Sequence, residues 1–237
     1  LATGDSLEVT ATGSKTDAGT AANAVTDVRV KHGTTDVTEN YNITTQNGTL
    51  EVTARTLEIT AASASRPYDG TALTNTGYTT TAGSLAAGQT MDSATVTGSQ
   101  LYPGSSANTA SGAVIKDTGG TDVTANYDIT YAAGTLTVTR AAIAITVTAN
   151  SDSRVYDGTP LTNNGGVLTS GTLATGDTLE VTATGSITDV GTASKEITEV
   201  RVKHDGTTDV TGNYDITKAA GTLVINRKSR SREDATS

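Results

Sequence analysis

Three stretches decide how this chain folds: TDVTENYNIT from Thr35 to Thr44, TDVTANYDIT from Thr121 to Thr130, and TDVTGNYDIT from Thr208 to Thr217. Each is followed by a GTL strand opening, at Gly48, Gly134 and Gly221. The copies lie roughly 86 residues apart, the length of one small domain rather than of a solenoid turn. Within each copy Tyr and Ile alternate with polar residues, so Tyr41 and Ile43 share a face, as do Tyr127 with Ile129 and Tyr214 with Ile216. The preceding Asp-Val-Thr and the Asn read as a turn that enters a strand.

Working outward, the chain divides into a partial first repeat at 1–54, a second at 55–139, a third at 140–227, and a polar tail at 228–237 expected to be disordered. LATGDSLEVTATG at Leu1–Gly13 matches LATGDTLEVTATG at Leu173–Gly185, so Leu1 falls inside a repeat. The expectation is a fragment of a longer protein. Its first repeat is then frayed, or completed by a neighbouring molecule.

Alternating apolar residues mark strands at Val28–Val30, Leu50–Val52, Leu57–Ile59, Leu136–Val138, Ile143–Val147 and Val200–Val202. They predict antiparallel sheets with one wet face. No run of ten residues has helical periodicity. At both repeat junctions the apolar parity flips, from Val52 to Leu57 and from Val138 to Ile143, so the chain must twist or change sheet there. With no flexible linker at either place, a semi-rigid rod is expected.

Composition agrees. Phe, Trp and Cys are absent and Thr makes up roughly a fifth of the chain, as suits pleated, half-wet surfaces. Without Cys there are no disulfides and no thiolate sites. A formal net charge of −9 disfavours nucleic acid as a partner. No apolar run is long enough to insert in a membrane as a helix. No cofactor is expected.

Candidate site residues reduce to turns and core. RPYDGTALT (Arg66–Thr74) and RVYDGTPLT (Arg154–Thr162) each place Tyr before an Asp-Gly turn: Tyr68, Asp69 and Gly70, then Tyr156, Asp157 and Gly158. Their tyrosines are expected to close a core that lacks Phe and Trp rather than to stack a ligand. Asp36, Asp122 and Asp209 have too few neighbouring oxygens for a calcium loop and are expected to cap turns. Lys31, Lys116 and Lys203 precede Asn40, Asn126 and Asn213, a pairing that raises an intramolecular isopeptide bond. Parity argues against it, because Val30, Ile115 and Val202 are the inward residues. His32 and His204 sit at equivalent strand ends, without the partners that nucleophilic or zinc chemistry needs in sequence. Gly165-Gly166 lacks a P-loop Lys, and the Thr arrays read as solvated strand faces. SQLYPGSSANTASG, unique to the second repeat, is a candidate ligand loop with Tyr102 as its exposed aromatic.

YDG followed by TxLT, then NYxIT, then GTLxVT running into the next repeat, resembles the YDG/MBG-type repeats of bacterial cell-surface and secreted proteins. The resemblance extends to about Arg227. It implies all-β tandem Ig-like sandwiches, with β-grasp repeats as the alternative. It also implies an extracellular, surface-displayed role in cell adhesion, and offers no catalytic residues. The expected function is a non-enzymatic stalk that spaces a distal binding domain from the cell, its partners being neighbouring repeats. The alternative is a module that binds host glycan or protein through loops at the sandwich ends.

Overall fold

The computed structural model describes Leu1–Arg230, and those residues form strands and three short 3-10 turns. The chain is all-β. None of its described helices is long and apolar enough to cross a membrane. Residues 231–237 of the polar tail lie outside the described residues.

Packing divides the chain into two compact units that do not follow the repeat frame. Unit 1 comprises 1–62, 76–97 and 108–134; unit 2 comprises 63–75, 98–107 and 135–230 of the described chain. The second repeat therefore contributes to both.

The third repeat shows the local logic. Its opening stretch is broken in two: Ile143–Ala149 pairs antiparallel with Gly166–Ser170, while Asp152–Val155 joins a different sheet. Its closing stretch is broken likewise, into Tyr214–Ala219 and Gly221–Asn226. Opening and closing halves pair in parallel, Ile143 with Tyr214 and Asp152 with Leu223. The sequence pattern predicted antiparallel sheets alone. Periodicity reports which face is buried, not the direction of the neighbour, so the parallel pairs were outside its reach.

The 14-residue strand Gly191–His204 serves three partners, Gly221–Asn226 with its first half, Asp177–Thr184 with its second and Thr208–Asp209 at its end. Inward positions fill as alternation requires: Ile145, Val147 and Ala149 on one strand, Leu223 and Ile225 on another, all buried. Lys195 is also fully buried. Its ammonium donates to the carbonyls of Asn150 at 3.2 Å and Gly165 at 2.9 Å and to Oδ1 of Asn163 at 3.1 Å. Burial pulls its pKa down, against the pull of Asp152.

At each junction the flanking strands lie in different sheets, Gly48–Val52 and Arg55–Ala61 at the first, Gly134–Thr139 and Ile143–Ala149 at the second. This is what the parity flips require. In unit 2 the second repeat enters the core of the third: Tyr68, Leu136 and Val138 cluster with Val147, Val202 and Tyr214.

Candidate functional site

The recurring motif builds the same small device three times. Asp36, Asp122 and Asp209 each accept the backbone N–H of the Thr two residues on, at 2.9 Å, which starts a 3-10 turn. That Thr hydroxyl accepts the N–H of a long-strand residue: Val30 at 2.9 Å, Ile115 at 2.8 Å and Val202 at 2.9 Å. These bonds hold all three carboxyls below the usual Asp pKa, the Thr side chain first and its backbone N–H second. Turn capping, the sequence expectation, is the job these aspartates do.

The turn delivers a tyrosine. The hydroxyls of Tyr41, Tyr127 and Tyr214 accept the N–H of Ala2, Ala86 and Ala174 at 2.7–2.8 Å. Each then donates to the side chain that follows three residues on: Asp5 at 2.7 Å, Gln89 at 2.5 Å and Asp177 at 2.6 Å. Strand pairing sets Asp5 against His32 and Asp177 against His204, with Nδ1 and Oδ1 2.6 and 2.8 Å apart. The second repeat pairs Gln89 with Asp117 and has no such contact of acid and imidazole.

In unit 2 the device receives a fourth member. The Tyr68 hydroxyl donates to Asp177 Oδ1 at 2.7 Å and lies 3.2 Å from His204 Nδ1. Asp69 and Gly70 follow it into contact: the Asp69 carbonyl accepts the Thr175 N–H at 3.1 Å, and Gly70 lies flush on the Thr175 backbone. Gly70 has φ +81°, and a side chain there would collide with the Thr175 carbonyl. The ring of Tyr102 closes over His204 edge-on, with centroids 5.8 Å apart. Burial, then the bond to Asp177, raises the pKa of both Tyr68 and Tyr214, so both stay protonated donors.

Chemically the cluster is a lock. The buried Asp177 carboxylate has two tyrosine donors and an imidazole, while His204 Nε2 faces the Asp205 carboxylate at 3.4 Å. Nδ1 is hydrogen-bonded to Asp177, and among the described residues no group of three metal-ligating side chains converges.

The sequence-predicted residues thus divide. Tyr68, Asp69, Gly70 and Tyr214 come together in unit 2. Tyr41 and Tyr127 hold the corresponding places in unit 1. Tyr156, expected to close a core like Tyr68, is 39% exposed against 2% for Tyr68. Asp157 still shapes its turn, accepting Thr159 N–H at 2.9 Å, and Gly158 has φ +82°. Tyr102, expected to be exposed, is half-buried against His204. It borders a cleft of about 500 Å³ with Pro103, Arg140, Asp209 and Asn213. Lys31, Lys116 and Lys203 pair with the carboxylates of Glu8, Asp92 and Glu180 at 2.9–3.0 Å, on the wet strand face.

No family model matches the chain, and no curated protein matches it.

Asp5 and Asp177 were missed in the sequence. A signal existed, because the repeats align with one another: Asp and His occur together in the first and third repeats and are replaced together, by Gln89 and Asp117, in the second. Unit 1 also holds a cleft of about 420 Å³ beside Gln89, Asn126, Tyr127 and Asp17. The counterparts of Gln89 and Tyr127 in unit 2 are the residues that Tyr68 covers.

Proposed function

We propose that this chain is a piece of the non-enzymatic stalk of a bacterial surface adhesin, built from YDG/MBG-type repeats with an Ig-like double-sheet plan. The observation that carries the reading is the core shared by successive repeats, in which Tyr68, Leu136 and Val138 of the second pack with Val147, Val202 and Tyr214 of the third. A repeat that inserts a hydrogen-bonded tyrosine into its successor resists bending and stretching at the junction, which is what a spacer needs. The acidic surface, with net charge −9, favours separation of neighbouring stalks. An extracellular, cell-surface setting follows from the same reading.

The test stretches single molecules between beads and, in parallel, screens the chain against immobilised glycans and host-cell surfaces. The stalk reading expects reproducible force-resisting steps that weaken in Tyr68→Ala, and no saturable binding. A second reading has one observation in its favour, the cleft where Tyr102, Arg140 and Asp209 meet. Saturable glycan binding that Tyr102→Ala abolishes would replace the stalk with an adhesive module.

A further inference from the structure

The chain carries one YDG segment that is seated and one that is not. Tyr68, Asp69 and Gly70 rest on Thr175, Asp177, His204 and Tyr214. Tyr156, Asp157 and Gly158 repeat the same residues in the same backbone shape, with φ +82° at Gly158 against +81° at Gly70. Their surroundings are open. The nearest atom to a side chain built on Gly158 is the Tyr156 hydroxyl itself, 4.0 Å away.

The chain also carries a second seat. Thr3, Asp5, His32 and Tyr41 are the counterparts of Thr175, Asp177, His204 and Tyr214, and every residue is identical. They are already assembled in the geometry of the occupied seat, with Tyr41 on Asp5 Oδ2 at 2.7 Å and His32 on Oδ1 at 2.6 Å. The difference is cover: the His32 side chain is 63% exposed, and that of His204 is 7%. The corresponding residues of the second repeat are Ala87, Gln89 and Asp117, which put an amide in the place of the carboxylate and a carboxylate in the place of the imidazole.

We propose that the Tyr156-Asp157-Gly158 segment of one copy seats on Thr3, Asp5, His32 and Tyr41 of a second copy, joining copies head to tail. The Tyr156 hydroxyl donates to Asp5 Oδ1, the Asp157 carbonyl accepts the Thr3 N–H, and Gly158 lies against the Thr3 backbone. Each contact copies one that Tyr68, Asp69 and Gly70 make in unit 2. Plug and seat are different surfaces, so the contact is heterologous and does not close on a dimer. The association is expected of the 237-residue chain by itself; in a longer run of such repeats the same contact joins successive repeats of one chain.

Sedimentation velocity over a concentration series up to about 1 mM tests it. The wild-type chain is expected to form species that grow past the dimer as concentration rises. Tyr156→Ala removes the plug and Asp5→Ala the seat, and each alone is expected to weaken association at least tenfold. An equimolar mixture of the two variants has one good plug and one good seat, and is expected to stop at dimers. Because Asp5 also holds Tyr41, Thr3→Pro gives an independent seat variant that removes the N–H donor and leaves Asp5 and Tyr41 in place, and circular dichroism checks that each variant is folded. A wild-type chain that stays monomeric overturns the proposal. So does association that Tyr156→Ala leaves intact, or a mixture of variants that fails to pair. Association lost in Tyr156→Ala but kept in both Asp5→Ala and Thr3→Pro also overturns it, and places the plug in the cleft beside Gln89 instead.

Discussion

Asn126 and Asn213 occupy the same place in successive repeats and meet different fates. Asn126 Oδ1 accepts the Ala18 N–H at 2.7 Å, and its amide donates to Asp17 at 2.8 Å. The residue corresponding to Ala18 in unit 2 is Pro103, which has no N–H, and the buried Asn213 Oδ1 has no partner there. An orphaned buried acceptor costs about 1–3 kcal/mol. Asn126 is only half-buried, so Ala18→Pro is expected to destabilise unit 1 by about 1 kcal/mol, the low end of that range, read as a lower urea midpoint with an unchanged slope, whereas Ala18→Ser leaves the midpoint in place. Legibility in the sequence varied at this scale for physical reasons. The Asp–Thr turns and the buried Tyr68 follow from local chemistry, and local chemistry is what a single copy displays. Asp177 and His204 lie 27 residues apart and meet only through strand register, so only a comparison between copies reveals them. Lys195 carried no such signal, because its three acceptors come from segments that no pattern ties together.

Identical local sequence does not give identical elements. Tyr127–Ala132 and Tyr214–Ala219 are strands, each in parallel with the opening strand of its own repeat. The residues 41–47 carry the same motif, have no such partner among the described residues, and form no strand. Strand formation here is a property of the pair rather than of the segment. Parity predicted a twist or a change of sheet at the junctions, and the chain changes sheet, because alternation records facing and facing is what a sheet change alters. The same logic locates the energy of the junction. Leu136 belongs to the second repeat, is fully buried, and packs in the cluster that holds Val147 and Val202 of the third. Leu136→Ala is expected to cost about 2–5 kcal/mol, and to appear as faster amide exchange at Val147 and Val202 with no change at Leu57 and Ile59. Unchanged exchange at Val147 and Val202 would mean that the third repeat holds its core without its predecessor.

For the whole molecule, charge and pH act together. Asp36, Asp122 and Asp209 are held below the usual carboxyl pKa by their Thr partners, Asp157 by the Thr159 backbone first, and Asp5 by Tyr41 and then His32. A carboxyl with a lower pKa when folded adds stability above its unfolded value of about 3.9, and that contribution is lost as pH falls through the folded value. Descent from pH 7 towards the sequence pI of about 4.6 also relieves the self-repulsion of a −9 chain. The expected thermal midpoint is thus nearly level from pH 7 to pH 5 and falls as pH drops below about 4. A midpoint that rises below pH 4 would show that these five carboxyls do not govern acid stability. The repeat period, the all-β class and the acidic surface were all legible in the sequence. The packing frame was not, because repetition marks a period without marking a phase.

That missing phase has an evolutionary consequence. Since 63–75, 98–107 and 135–139 pack with the third repeat while the rest of the second packs with the first, no cut between repeats coincides with a cut between folded blocks. A duplication of one period adds one block whether its breakpoints fall in a turn, a strand or a motif, much as a cyclic permutation leaves a ring intact.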